Sequence, residues 1–203
     1  MISTGRSARV SGSDLDQPYD ATTIWFHWIT AALVVLLWGI AQIIDFFPKG
    51  PPKIAVRSLH ILLGALLAVV LLVRIYWRVR HGQRLPAANS GFAGYLAQGM
   101  HYLLYAALVA TVALGLANVW VRGDTVTGLF TVRQFAPGDK ALKSLIEHLH
   151  GNFANAILIA AGLHAVVALI HHAVLRDTVL RRMLPIRDRQ RAGRPGSVTA
   201  PVK

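Results

Sequence analysis

Histidine is the residue type in this chain best suited to hold a redox-active metal. The sequence of 203 residues contains nine histidines and no cysteine. The lack of cysteine excludes disulfides, thiolate-held zinc, iron–sulfur clusters and covalently attached c-type haem. A histidine inside a membrane-spanning run is costly and is therefore a candidate functional residue. Seven histidines lie within or at the edges of long apolar runs: His27, His60, His101, His150, His164, His171 and His172.

The last apolar run of the chain carries two histidines on one face. His150 and His164 are fourteen residues apart, which on an α-helix is about 40° short of four turns and about 21 Å along the axis. One helix therefore presents two imidazoles at two depths. His60 in the second apolar run and His27 in the first supply a partner at each depth. We call the pair His60 and His150 the outer level, and the pair His27 and His164 the inner level.

The chemistry of these pairs favours a planar cofactor over a bare metal ion. No cysteine or carboxylate accompanies the histidines, so zinc or non-haem iron would lack ligands. Two imidazoles on opposite sides of a plane suit b-type haem, which brings its other four ligands itself. The residue one turn after each histidine of the two levels is small: Ala31, Gly64, Ala154 and Ala168. The sequence predicts two b-type haems, with the outer and inner histidine pairs as iron ligands.

Four apolar stretches must position these histidines. Residues 24–44, 55–79, 99–121 and a stretch within 148–175 are each long enough to cross a bilayer core of about 30 Å. Charged residues make up only 15% of the chain, against about 25% in soluble domains. The prediction is an all-α integral membrane four-helix bundle holding two b-type haems at residues 21–186. A disordered cytoplasmic leader at 1–20 and a basic disordered cytoplasmic tail at 187–203 flank it.

The net charge of +12 is explained by where the basic residues lie relative to the predicted spans. Of the 21 Lys and Arg residues, fourteen flank one side of the predicted spans and seven the other, which predicts that both termini are cytoplasmic. The basic tail is expected to contact the lipid surface, and nucleic acid is not an expected partner. The other side carries seven cations against four carboxylates. This excess is either ordinary solvated loop charge or an electropositive mouth that attracts a small anion.

An ordered set of motifs over roughly residues 22–186 resembles the bacterial cytochrome b561 family, the four-helix dihaem proteins that include the superoxide oxidases. The set comprises Phe26-His27-Trp28, Ser58-Leu59-His60 with Gly64, Gly99-Met100-His101 with Tyr105, His150 with Ala154-Asn155, Gly162-Leu163-His164, Ile170-His171-His172, and Arg176-Asp177-Thr178. The spacing of His150 and His164 is also similar to that in the haem b subunits of membrane formate dehydrogenases and hydrogenases.

The resemblance implies a function as well as a fold. It implies that electrons pass from superoxide, through an outer haem held by His60 and His150 and an inner haem held by His27 and His164, to ubiquinone. It implies a multi-pass protein of the bacterial inner membrane. The alternative is a haem b carrier or anchor subunit of a membrane dehydrogenase or hydrogenase, which requires a partner protein. A third possibility is a haem-free transporter or scaffold.

Three further residues have two interpretations each. His101 is a rival ligand for the inner iron, and otherwise a contact for a haem propionate or a quinone. Arg74, near the inner end of the second span, either snorkels to the lipid headgroups or pairs with a haem propionate. His171 either hydrogen-bonds a quinone carbonyl or is a simple interfacial histidine.

Overall fold

The computed structural model describes residues 19–82, 91–177 and 179–184. These residues form four long helices joined in part by a small hairpin. In chain order the elements are α1 (Ala21–Ile43), a 3-10 turn (Ile44–Phe46), α2 (Pro51–Arg80), α3 (Phe92–Arg122), β1 (Thr125–Val126), β2 (Phe130–Thr131), α4 (Lys140–Ala173) and a 3-10 turn (Arg181–Met183). All four helices are long and apolar enough to span a membrane. The predicted all-α four-helix membrane bundle is confirmed.

The ends of the helices carry ordinary start and stop signals. Asp20 caps α1 by accepting the backbone N–H of Thr23 at 2.8 Å, and Asp139 caps α4 in the same way. Pro51 stands in the first turn of α2, where its missing N–H costs nothing. Gly123 ends α3 in the left-handed conformation, with φ 65°, which glycine adopts without a Cβ clash. These local signals fix where each span enters and leaves the bundle.

Two helices extend well beyond the predicted apolar stretches. α3 begins at Phe92 instead of near residue 99, and α4 begins at Lys140 instead of near residue 148. The uncharged runs mark the part of a helix in hydrocarbon. The helix itself continues into the headgroup region, where charged side chains are tolerated because they reach water.

The bundle is formed by two closely packed helix pairs. α1 packs mainly against α2, and α3 mainly against α4, while α1 and α4 touch less. One buried apolar cluster draws on all four helices: Leu33, Leu37, Leu67, Leu71, Leu108 and Ile157. Ile157 lies midway along α4 between the outer and inner histidines. The cluster therefore forms a dry layer between the two histidine levels.

Large apolar side chains cover the outside of the bundle. Leu72 is 68% exposed and Ile159 is 65% exposed, and at most 17% of the most apolar window of any span is buried. A surface of this kind would be an aggregation hazard in water. It is what lipid requires of a helix whose backbone polar groups are satisfied internally.

The segment between α3 and α4 contains a short two-stranded hairpin. β1 and β2 pair antiparallel, with Val126 opposite Phe130, and β1 packs on α2. The backbone N–H of Thr127 donates to Ser58 Oγ at 2.8 Å, and Ser58 is only 3% exposed. The hairpin therefore closes the end of the bundle next to the outer level.

The opposite end of the bundle is closed by the segment before α1 and the segment after α4. Tyr19 N–H donates to the Arg182 carbonyl at 3.1 Å, and the Trp28 indole donates to the Met183 carbonyl at 2.8 Å. Tyr19 and Asp20, which the sequence assigned to the leader, are thus held against the bundle. The rest of the predicted leader, the predicted tail at 187–203 and residues 185–186 lie outside the described residues.

Candidate functional site: two histidine levels

The outer level brings together two histidines from α2 and α4. The ring centroids of His60 and His150 are 6.3 Å apart, with the ring planes at 89°. Both side chains are half-buried. The expected partnership across the bundle is therefore present in the structure.

The ring of His150 has a fixed orientation. Its Nδ1 lies 3.1 Å from the backbone carbonyl of Thr111 on α3. A carbonyl oxygen only accepts, so Nδ1 carries the proton and donates, and Nε2 keeps its lone pair. An imidazole that donates one N–H to a backbone carbonyl is the usual arrangement of a metal-ligating histidine.

The inner level contains three histidines. The ring centroids of His27 and His164 are 6.4 Å apart, which matches the outer pair. The ring of His101 lies closer to His164, at 5.3 Å between centroids. His101 is the most exposed of the three, since His27 and His164 are half-buried. The structure thus brings both predicted candidates for the second inner ligand next to His164.

Arg74 lies inside the bundle at the inner level. Its Nη2 is 3.4 Å from His27 Nδ1. The guanidinium carbon also stands 5.1 Å from the ring centre of Tyr105 on α3, within cation–π distance. The side chain is therefore directed at neighbouring helices. Simple snorkelling to the headgroups does not describe its position.

A hydrogen bond joins α1 to α4 between the two levels. The Trp38 indole donates to Asn155 Oδ1 at 3.0 Å. A polar contact of this kind holds membrane helices together because its groups have no water to bond. It supports the side of the bundle where the helix contacts are fewest.

The histidine pairs fit b-type haem better than a bare metal ion. The described residues contain no group of three or more His, Cys, Asp or Glu side chains that could hold a metal. Two metal–imidazole bonds of about 2 Å, plus the distance from each nitrogen to its ring centre, add to roughly 6 Å. This sum agrees with the centroid separations of 6.3 Å and 6.4 Å.

The outer level also has hydrogen-bonding capacity that the protein leaves unused. Within the described part of the chain, two buried side-chain polar atoms have no partner, His60 Nδ1 and Asn118 Oδ1. Asn118 lies on α3 two turns beyond Thr111, toward the hairpin end. Buried polar atoms are rarely left unpaired in folded proteins. The unpaired Nδ1 of His60 is consistent with a site that a bound group completes.

An open pocket of about 320 Å³ lies at the outer end of α2, lined by Lys49, Gly50, Lys53, Ile54 and Arg57. Arg57 precedes His60 by three residues, so the pocket is about one helical turn outside the outer level. Lys53 is paired with Asp45 at 2.8 Å, and Arg57 with Asp124 at 3.4 Å. Three cations nonetheless face one opening at this end of the bundle.

His171 contacts Asp177, a residue for which the sequence predicts no separate role. His171 Nδ1 is 2.5 Å from Asp177 Oδ2, and the Asp177 N–H donates back to the His171 carbonyl at 3.1 Å. One ring nitrogen of His171 is therefore occupied by the chain's own carboxylate. Only a short-range His–Asp spacing of six residues was available in the sequence to suggest this pair.

Four membrane-spanning helices with paired histidines at two levels define a membrane b-type cytochrome. Comparison with known proteins agrees. The family model described as prokaryotic cytochrome b561 matches residues 18–185. The chain belongs to the prokaryotic cytochrome b561 family.

The matches to individual relatives extend over nearly the whole length of each relative. Cytochrome b561 homolog 1 of Escherichia coli (strain K12) is 28% identical over 172 residues, 83% of this chain and 98% of that protein. The probable superoxide oxidase CybB of Yersinia pestis is 26% identical over 174 residues, 84% of this chain and 98% of that protein. Cytochrome b562 of Cereibacter sphaeroides is 29% identical over 171 residues, 82% of this chain and 94% of that protein. The protein is thus a multi-pass bacterial membrane protein that binds b-type haem and carries electrons.

Proposed function

We propose that the protein is a dihaem oxidoreductase of the bacterial inner membrane that transfers electrons from superoxide at the outer face to ubiquinone. His60 and His150 hold one haem b, and His27 and His164 hold the second. Each bound haem supplies a one-electron Fe(III)/Fe(II) couple. His27 is preferred over His101 as the second inner ligand because its ring centroid is 6.4 Å from that of His164, within 0.1 Å of the 6.3 Å separation of the outer pair.

The chain's own residues provide ligands, orientation and a dry path. The paired imidazoles would supply the protein ligands to each iron. Thr111 holds the tautomer of His150, and the apolar cluster between the levels excludes water. In such proteins the polypeptide tunes and positions the redox group and the chemistry belongs to the cofactor.

The observation that carries the choice of donor is the cation-lined pocket one turn outside the outer level. A cleft lined by one sign of charge raises the local concentration of a small ion of the opposite sign. Superoxide is a small monoanion, and the name of the Yersinia pestis relative points to it. Two superoxide anions lose one electron each and become two O₂. The two electrons and two protons from water convert ubiquinone to ubiquinol.

The direction across the membrane follows from charge. Fourteen of the 21 Lys and Arg residues flank one side of the spans, so both termini are assigned to the cytoplasm. The pocket and the hairpin then face outward. The quinone and the surrounding lipid are the partners at the inner side, and Arg74 and His101 are positioned to meet a haem propionate or the quinone there.

Stopped-flow mixing of the purified oxidised protein with potassium superoxide tests the donor. We expect haem reduction on the millisecond timescale and, in vesicles containing ubiquinone, formation of ubiquinol. Lys49 is exposed and lines the pocket, so Lys49→Glu should lower the second-order rate at least about twofold at low salt and less at high salt. Lys140→Glu makes the same charge change at an exposed position outside the pocket and serves as the control.

Two results would overturn this assignment. The first is an absence of any haem signal change after superoxide is mixed in. The second is an equal loss of rate in the Lys49 and Lys140 variants, because then the total charge and not the pocket attracts the donor.

One observation favours the second candidate function, an electron carrier subunit docked to a partner enzyme. Leu129 at the hairpin tip is 86% exposed, and Phe130 is 59% exposed. Contiguous exposed apolar residues can mark a protein interaction site. A second polypeptide that co-purifies in mild detergent, and is lost in Leu129→Ser, would support this function.

A further inference from the structure

Gly115 on α3 lies directly against the imidazole of His150. A Cβ placed on Gly115 would be 3.0 Å from His150 Cε1 and 3.5 Å from Nδ1. A contact of 3.0 Å is at the limit of what real Cβ atoms show, so a side chain here would displace the ring. Gly115 is thus the point at which α3 leaves space for this histidine.

The same helix supplies the hydrogen-bond acceptor for that ring. Thr111 is four residues before Gly115, so both lie on one face of α3. The Thr111 carbonyl accepts from His150 Nδ1 at 3.1 Å. Thr111 Oγ1 donates to the Ala107 carbonyl at 2.8 Å, so its side chain is turned back along its own helix. The ring therefore reaches the backbone of α3 only because the position one turn later has no side chain.

We propose that Gly115 and the Thr111 carbonyl form a seat on α3 that sets the orientation and the tautomer of His150 for binding iron. Gly115 is a positioning residue that acts through His150. The inference rests on the proposed role of His150 as an outer ligand. It assigns to α3 a part in the outer site, although α3 supplies no histidine there.

The chain offers a matched control on the same helix. Gly99 is exposed, and a Cβ added there meets nothing within 4 Å. Gly99→Ala and Gly115→Ala gain the same helix propensity, about 1 kcal/mol. They differ in whether the new methyl group meets an imidazole.

The experiment compares haem release from both purified variants to excess apomyoglobin, together with the EPR signals of the two ferric haems. We expect Gly115→Ala to release one haem about 10- to 100-fold faster than the unmodified chain. Loss of a group that orients a metal-ligating histidine typically lowers metal affinity by about this factor. The EPR signal of that haem should shift, while that of the inner haem stays. Gly99→Ala should match the unmodified chain in both measurements.

A double variant tests whether Gly115→Ala acts through His150 or through the packing of α3 in general. If Gly115 acts through His150, then His150→Ala and His150→Ala/Gly115→Ala should retain the inner haem equally. Loss of both haems in the double variant, or equal behaviour of Gly115→Ala and Gly99→Ala, overturns the inference. Retention of both haems by His150→Ala alone contradicts instead the proposed ligand role of His150. The two failures are thus distinguishable.

Discussion

Alanine in place of one histidine should remove one haem and leave the other. His60→Ala and His150→Ala should lower the haem content from two per chain to one, which halves the Soret absorbance per protein. The reason is the separation of the two levels by about 21 Å along α4, with the buried apolar cluster between them. Among the described residues, the ring contacts at the outer level join only His60 and His150. In this part of the chain no other imidazole is in ring contact with either of them.

The inner level should respond differently because a third histidine, His101, lies beside His164. His164→Ala should remove the inner haem, since both neighbouring rings are arranged around His164. His101→Ala should keep two haems. His27→Ala should keep part of the inner haem with a shifted spectrum, because the ring of His101 is 5.3 Å from that of His164. The double variant His27→Ala/His101→Ala should lose the inner haem entirely.

The assay is haem quantified per chain by the pyridine haemochrome method, with dithionite-reduced spectra of the same samples. Retention of two haems by His60→Ala or by His164→Ala refutes the ligand assignment. Loss of one haem in His101→Ala while His27→Ala keeps both transfers the inner ligand role to His101. A content of one haem in the unmodified chain contradicts the two-level arrangement itself.

Three other substitutions test the surroundings of the site. Arg74→Gln removes a cation 3.4 Å from His27 and should lower the inner haem's reduction potential by about 60 mV for each 1.4 kcal/mol of lost interaction, leaving the outer one unchanged in a potentiometric titration. Ser58→Ala removes the hydrogen bond that the Thr127 N–H donates, worth about 0.5–1.5 kcal/mol, so thermal unfolding in detergent should occur at a lower temperature. Burial alone would raise the pKa of Asp20, but hydrogen bonds from Thr23 and Trp77 outweigh it and hold the pKa below its usual value. The stability that Asp20 contributes is thus present above the ordinary carboxyl pKa and lost as the pH falls through the lowered value. In Asp20→Asn, the unfolding temperature should therefore depend less on pH in the acid range.

The sequence predicted the four helices and the pairing of the histidines at each level because helix geometry controls both. A helix that spans lipid has fixed rise and rotation, so the fourteen residues between His150 and His164 determine their relative face and depth. The alternating direction of the spans then determines which other helix reaches each depth. The structure places His60 and His27 at those positions.

The residues that orient the histidines could not be predicted in the same way. The contact of His150 with Thr111 joins residues 39 apart in the chain, and that of Ser58 with Thr127 joins residues 69 apart. Such contacts depend on how far each helix is rotated about its axis, and apolar patterning is weak where lipid solvates the outer face. Gly115 carries no sequence signal, because small residues are common in membrane helices.

The two levels differ in their charged surroundings, and this difference bears on the direction of electron flow. At the outer end, Arg57 and Arg122 are paired with Asp124, and Arg122 also with Glu147. At the inner level, Arg74 has no carboxylate within salt-bridge distance among residues 19–82, 91–177 and 179–184. A cation without a compensating anion, in a low-dielectric layer, favours the site that gains an electron. The unpaired charge of Arg74, 3.4 Å from His27, therefore favours an electron at the inner level, as inward transfer requires.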